Sequence, residues 1–256
     1  MTTDAVSARA FHEAPRDCHA CRLRQRTQAF TPVTDQELDF IHDYRCGVES
    51  VPAGGALIRE RQTGARLYTL YSGWAFRYKT LSDGRRQILN FLLPGDLVGL
   101  QQEFSDTALH GVEAVTDCSF CAFDTEGLWS LFREHARLAY GVTWLAARGE
   151  GMVDDNLLTA GRRTAIERVA VLLVHLYRRL DRLGLAEGGS VEFPINQQHI
   201  ADALGLSLVH TNKTLRRLAD MGLHEIAGGR LRLINPRALA RIAEYYDAIP
   251  RPVPLL

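Results

Sequence analysis

Between Val51 and Phe123 short runs of alternating apolar and polar residues are broken by turn residues: PAGG at 52–55, TG at 63–64, SG at 72–73, SDG at 82–84 and PGD at 94–96. Punctuation at this spacing predicts short antiparallel strands closed into a sandwich or small barrel. In the segment LYTLYSGWAFRYKTLSDGRRQILNFLLPGD, Asp83-Gly84 marks the tip of the clearest hairpin, because glycine supplies the positive φ that a tight turn needs. After Asp124 the turn signals thin and the apolar period lengthens. Leu138, Val142, Leu145, Gly149, Met152 and Asn156 recur at alternating intervals of four and three, a heptad-like stripe along one face of a long helix. Lying between two halves of different composition, the stripe predicts a homodimer seam; the competing reading is a helix docked on its own domain. Gly149 and Gly151 each cost about 1 kcal/mol relative to Ala, and Asn156 puts an amide in the seam, so the expected contact is marginal and suited to switching. GRRTAIERVAVLLVHLYRRLDRLGL then restarts as a second amphipathic helix, with Ile166, Val169, Leu173 and Leu176 inward, and Gly184 ends it.

Between Ile195 and Gly222 the pattern shortens to two helices joined by a tight turn. Asn196 caps the first, whose Ile200, Ala203 and Leu204 face inward; Gly205 reverses the chain and Ser207 caps the second. Ala201, with Gly205 four residues on, gives helix-turn-helix spacing. The second helix displays Val209, His210, Asn212, Lys213, Arg216 and Arg217, a polar flank able to read base edges, with Val209 suited to a thymine methyl and Arg217 to a phosphate. Gln197 and Ser207, at the two helix starts, join the candidate DNA-binding residues. LHEIAGGRLRLIN reads as a hairpin turning at Gly228-Gly229, a wing whose Arg230 and Arg232 are placed to clamp backbone phosphates.

Length and charge agree with two parts. The 256 residues, 46% hydrophobic and 23% charged, suffice for a folded core in one large domain or two smaller ones. Formal net charge is zero, yet residues 162–256 hold 14 basic against 9 acidic residues, so a basic part follows an acidic one and points toward a polyanion. The longest apolar run, Val169 to Leu176, is interrupted by His175 and falls far short of the roughly 20 residues of a bilayer span. The start MTTDAVSARAFHEAPRD has no apolar stretch, so a cytoplasmic protein without a membrane partner is expected. The tail IPRPVPLL reads as a loose end.

Five cysteines, an odd count, suggest ligands, redox groups or core residues rather than disulfides. Cys18 and Cys21 form a C-x2-C pair in the basic segment CHACRLRQR, where Arg16, Arg22, Arg24 and Arg26 are expected to lower the thiol pKa and favour a metal-binding thiolate. Cys118 and Cys121 form a second pair within a predicted strand, where side chains three apart face opposite ways, which argues against a zinc ribbon. Cys46 stands alone at a strand start and reads as packing.

The order of parts, β-barrel, long helix, winged helix-turn-helix, resembles the Crp/Fnr family of bacterial transcription regulators across nearly the whole chain. LYTLYSGWAFRYKTLSDGRRQILNFLLPGDLVG is similar to the family's sensor barrel, GRRTAIERVAVLLVHLYRR to its connector and QQHIADALGLSLVHTNKTLRRL to its DNA-binding helices. The resemblance implies an α+β chain: an N-terminal cysteine-containing arm (1–30), a cyclic-nucleotide-binding-like jelly-roll barrel (31–128), a dimerisation helix (129–161) and a winged helix-turn-helix domain (162–256). It further implies a homodimer on palindromic promoter DNA, with half-sites one turn apart, that works with RNA polymerase and is not an enzyme. A cupin-type enzyme needs clustered His and carboxylate ligands, whereas Val51–Asp124 contains one histidine, His110. An adaptor that merely kept the winged helix would tolerate Lys213→Ala and Arg216→Ala.

The same resemblance bears on the signal. Cyclic-nucleotide members place an Arg-Ser or Arg-Thr pair after the PGD-x-x-G turn to neutralise the phosphate; Gly99 to Cys118 holds no Arg or Lys, so cyclic AMP is disfavoured. The oxygen-sensing FNR branch holds a four-iron four-sulfur cluster on N-terminal cysteines plus one from the barrel, which carries over to Cys18, Cys21 and Cys121. The branch's further N-terminal cysteine is missing at Thr27 and its neighbours, leaving the fourth ligand open among Cys118, Cys46, His19 and a non-protein donor. Zinc or thiol redox chemistry on the same cysteines, haem, or a small organic effector are the alternatives. Val209 and Lys213 replace the family's base-reading Glu and Arg, so the operator sequence does not transfer; activation or repression depends on where the operator sits.

Overall fold

The computed structural model describes residues 13–64, 66–101, 105–245 and 251–256. Helix α1 (Asp35–Tyr44) starts on a capping box in which the Thr34 N–H donates to Glu37 at 2.8 Å and the Glu37 N–H donates to the Thr34 hydroxyl oxygen at 3.2 Å. Eight strands follow: β1 (Arg45–Val51), β2 (Ala56–Ile58), β3 (Leu67–Ser72), β4 (Ala75–Thr80), β5 (Arg86–Leu92), β6 (Leu97–Val98), β7 (Gly111–Ala114) and β8 (Cys118–Phe123). They make two antiparallel sheets, β1-β8-β3-β6 and β2-β7-β4-β5. Between the sheets Leu57, Leu70, Leu92, Val112 and Phe120 share one core, which gives the jelly-roll barrel. Gly84, at φ 86°, turns β4 into β5 as the sequence predicts.

Helices α2 (Leu128–Glu134) and α3 (Ala136–Arg162) then cross the barrel and lead to α4 (Ala165–Arg182). The remainder is β9 (Ser190–Glu192), α5 (Gln197–Leu204), α6 (Leu208–Asp220), β10 (His224–Ala227), β11 (Arg230–Leu233) and α7 (Pro236–Ile242), with a small β10-β11-β9 sheet as the wing. One apolar core runs across the domain boundary: Trp74, Phe76 and Phe91 from the outer face of the barrel pack with Val169, Leu173 and Leu176 of α4 and with Phe193, Ile200 and Leu215. Within it the buried Arg179 of α4 donates to the Phe91 carbonyl at 3.1 Å and to Asp96 of the PGD turn. Asp96 also accepts the Leu93 N–H at 2.8 Å and lies 3.6 Å from Arg148 of α3. Burial alone would raise the Asp96 pKa; Arg179 and Arg148 outweigh it and hold the carboxyl below its usual range.

Two sequence expectations change here. The heptad stripe on α3 turns toward its own chain: Leu138 and Val142 cluster with Ile41, Phe123 and Leu131, and Asn156 donates to the Leu89 carbonyl of β5 at 2.6 Å. Met152 lines the same junction, while Leu145 and Gly149 are half-buried. The spacing marks an apolar face without saying which neighbour covers it; the docked reading takes Leu138, Val142 and Asn156, while a side chain at Gly149 would meet open space. Exposed apolar side chains lie on the other flanks of α3, at Tyr140, Val153, Leu157 and Leu158. The tail is not a loose end either. The Thr31 N–H donates to the Val253 carbonyl at 2.9 Å and the Val253 N–H to Ala29 at 2.8 Å, and Leu255 and Leu256 are buried. Residues 251–256 therefore pack with the N-terminal arm rather than with the winged domain that precedes them.

Candidate nucleic-acid interface and cysteine site

The helix-turn-helix is built as its caps dictate. Asn196 accepts the His199 N–H at 2.8 Å to start α5, Gly205 leaves it at φ 62°, and Ser207 accepts the His210 N–H at 3.2 Å to start α6. Ile200, Ala201 and Leu204 bury against a face of α6 made by Thr211, Thr214, Leu215 and Leu218. The opposite face of α6 presents Val209, His210, Lys213, Arg216 and Arg217 to solvent, Val209 being 65% exposed. Asn212 is half-buried with its Oδ1 unpartnered among the described residues, and Gln197 is exposed at the first position of α5. This is a cationic, hydrogen-bonding helix face with no acidic residue before Asp220.

Arg230 departs from the phosphate-clamp expectation. Its guanidinium donates to the Ser190 hydroxyl at 2.8 Å and carbonyl at 3.0 Å and lies 3.9 Å from Glu187, so it braces β9 against β11. On the same strand Arg232 is exposed. The back of α5 is fixed to the barrel: Gln87 donates to the Ala203 carbonyl at 3.1 Å, Arg86 lies 3.8 Å from Asp202, and His199 tilts over Phe76 with ring centroids 5.4 Å apart.

At the other end of the barrel three thiols converge. Cys18 opens a 3-10 turn, Cys18–Ala20, capped by Asp17, and its N–H donates to His42 of α1 at 3.3 Å. Cys21 follows the turn, and Cys121 comes from β8. All three line one cavity of about 20 Å3, with Arg24, Arg45, Thr69, Leu255 and Leu256 among its other walls. Thr69 faces Cys121 across the β3–β8 register; it is 2% exposed and its hydroxyl has no partner among the described residues. Arg45, held by the Pro15 carbonyl at 2.6 Å, brings a guanidinium nitrogen to 4.0 Å from Cys121 Sγ. Arg24 donates to the Leu255 carbonyl at 3.4 Å.

The arginines do not make Cys18 or Cys121 acidic. Burial pushes Cys18 up despite Arg45 and Arg24, and pushes Cys121 up to about 11 despite Arg45. The sequence shows the charges but not how far the tail and β3 bury the sulfurs. Arg24 lines the same cavity as the three sulfurs.

None of the other suggested ligands joins the cavity. Cys118 points into the barrel core, donates to the Trp74 and Thr116 carbonyls at 3.1 and 3.3 Å, and is pushed up to about 12 by burial. Cys46, expected in packing, is exposed on a β-bulge between Arg45 and Gly47, near Asp124 and Arg66. His19 is held by Asp17 at 3.0 Å and Asp39 at 3.2 Å. Among the described residues no three His, Cys, Asp or Glu side chains are arranged around a single metal ion.

Sequence reasoning missed Arg45 and Thr69, which lie far from the C-x2-C pair along the chain. It also missed Arg77, which pairs with Asn90 and Val112 across the β2-β7-β4-β5 sheet and leaves its Nε unpartnered among the described residues. Positive charge at this part of the barrel thus comes from β4, and it reaches His110, whose pKa burial, with Arg77 and Lys79, pushes down to about 4. Among the described residues no helix is long and apolar enough to cross a membrane.

Comparison with known proteins agrees with this architecture. Residues 48–135 match the cyclic nucleotide-binding domain model and residues 167–242 the Crp-like helix-turn-helix domain model. The chain is 32% identical to the transcriptional activatory protein AadR of Rhodopseudomonas palustris over 193 residues, covering 73% of this chain and 77% of that protein. It is 30% identical to the nitrogen fixation regulation protein FixK of Bradyrhizobium diazoefficiens, covering 75% and 79% respectively. The transcriptional activator protein FnrL of Cereibacter sphaeroides is 28% identical, over 86% of this chain and 90% of its own length. The solved structure of FixK2 from Bradyrhizobium japonicum superposes with a TM-score of 0.70 at 29% identity, covering 79% of this chain and 98% of that one. With a nucleotide-binding-type barrel, a Crp-like helix-turn-helix and relatives that are regulators rather than enzymes, the chain belongs to the Crp/Fnr family of DNA-binding transcription regulators.

Proposed function

We propose that this chain is a homodimeric transcription activator of the FNR/FixK type that presents α6 to the major groove of palindromic promoter DNA, acts with RNA polymerase, and responds to oxygen or redox state at Cys18, Cys21 and Cys121. The observation that carries the sensing part is the meeting of these three thiols, from two segments about a hundred residues apart in sequence, in one cavity walled by Arg24 and Arg45. The donor chemistry suits an iron-sulfur cluster: three sulfurs that share a cavity without closing around one ion, two guanidinium groups to balance thiolate charge, and an unpartnered Thr69 hydroxyl. Cys18, Cys21 and Cys121 would hold such a group, with a non-protein donor completing it; when bound it supplies oxygen-labile redox chemistry. Arg45 positions Cys121, the His42 contact fixes the turn at Cys18, and burial keeps both thiols protonated until a ligand takes the proton's place.

Purification without air, followed by a visible spectrum and iron and sulfide assays, tests this. A broad visible band with both elements present, lost in Cys18→Ser or Cys121→Ser, is expected. A colourless, iron-free protein that still binds its promoter contradicts the cluster and leaves the DNA-binding assignment standing.

A further inference from the structure

We infer that residues 251–256 form a strap that seals the cysteine site and that anything larger than a water molecule can occupy the site only when the strap lifts. The inference rests on the sensing role just proposed for these cysteines and names how access to them is controlled.

The strap is held at both edges. Val253 bridges Phe30 in parallel, exchanging the two backbone hydrogen bonds with Thr31 and Ala29, and the Thr31 hydroxyl adds a bond to the Pro252 carbonyl at 3.3 Å. On the other side Pro254 lies against α3, where a Cβ built on Gly141 would meet the Pro254 Cβ at 3.0 Å. Beyond it the chain turns its last two described side chains inward. Leu256, 6% exposed, joins the cluster of Cys18, Ile41 and Leu67; Leu255, 5% exposed, joins Leu23, Phe30 and Tyr71, with Cys21 and Cys121 packed against them.

With the strap down the cavity measures about 20 Å3, room for roughly one water. A metal cluster does not fit that space, and Leu255 and Leu256 are the walls that the strap contributes, so lifting them enlarges it. Occupancy of the site and closure of the strap are competing states, and by linkage each biases the other. Pro254 touches the long helix, so lifting the strap alters a contact on α3. The Arg24 bond to the Leu255 carbonyl ties the lid to a cation that lines the cavity with the three thiols.

Thiol alkylation reads strap closure directly. Metal-free, reduced full-length protein is treated with N-ethylmaleimide, and the labelling rate of each cysteine is followed by mass spectrometry. Exposed Cys46 calibrates the reagent and Cys118, inside the barrel core, reports unfolding. Two variants are compared with the parent: Leu255→Glu, which puts a charge under the lid, and Val253→Pro, which removes the N–H donated to Ala29. We expect Cys18 and Cys121 to label at least about tenfold faster in both variants while Cys118 stays protected, as for a local opening. Should Leu255→Glu also expose Cys118, Val253→Pro alone decides. Unchanged rates at Cys18 and Cys121 with Cys118 protected overturn the strap. Because no cluster takes part, failure here leaves the iron assay untouched, and an iron-free protein leaves this result untouched.

Discussion

At the scale of single residues the molecule depends on buried polar groups that bridge parts. Arg179 joins α4 to the barrel through Asp96 and the Phe91 carbonyl, and Arg148 reaches the same carboxylate from α3. Arg179→Met is expected to cost about 3 kcal/mol, because it strips the main partner from a buried carboxylate; a lowered midpoint in urea denaturation with an unchanged slope checks this. Two histidines, His110 buried and His175 partly buried, set a pH window. His110 and His175 are pushed down to about 4 and about 3, mainly by burial, with nearby arginines adding to it. Folded protein thus keeps both neutral at pH values where the unfolded chain protonates them near 6.5, so the unfolded state binds more protons. Stability is therefore full above about pH 7 and falls below 6.5, by up to about 1.4 kcal/mol per pH unit per histidine until the folded pKa is reached. Melting temperatures at pH 7.5 and 5.0 should show the drop, and His110→Asn should shrink it if the variant folds.

The elements were legible where chain-local chemistry decides them. Asn196, Gly205 and Ser207 specify the ends of α5 and α6 within a few residues, and the Asp83-Gly84 tip fixes the β4–β5 hairpin, so both follow from sequence alone. The partners of those elements were not. The α3 stripe is apolar whichever neighbour covers it, and IPRPVPLL carries no periodicity from which docking could be read. Arg230 illustrates the same limit: a cation beside a wing turn suggests phosphate, yet Ser190 and Glu187 stand within reach once β9 pairs with β11. The distinction is measurable. Lys213→Ala or Arg216→Ala on the open face of α6 should weaken binding to a selected duplex by roughly tenfold or more, about 1–3 kcal/mol for a base contact, with melting unchanged. Arg230→Ala should instead lower the melting temperature and leave the salt dependence of binding nearly intact. Fluorescence anisotropy at several salt concentrations, alongside thermal melts, separates the two.

For the whole molecule, the barrel, α4 and the winged domain share a continuous core, while α3, the arm and residues 251–256 pack around the cysteine site, and Arg26 of the arm reaches the Leu183 carbonyl at the end of α4. The order of these parts was readable from the sequence because each carries its own period or turn chemistry. Their couplings, Asp96 to Arg179 and the tail to Cys18, link positions more than eighty residues apart and emerge only on folding. For the proposed homodimer, the flanks of α3 that the chain leaves uncovered are the faces to test. Leu157, 71% exposed, is the test position: Leu157→Glu should shift sedimentation toward monomer and weaken binding to a palindrome far more than to a half-site, whereas Asn156→Ala should chiefly loosen the contact with Leu89.

Whether the cysteine site governs DNA binding decides the sensing assignment. Affinity for a selected palindromic duplex is measured on anaerobically prepared protein, before and after exposure to air, for the parent and for Cys121→Ser. The parent should lose at least about tenfold in affinity on exposure, a change of 1.4 kcal/mol, and Cys121→Ser should bind with one affinity under both conditions. Equal affinity of the parent before and after air, or an undiminished air response in Cys121→Ser, contradicts it.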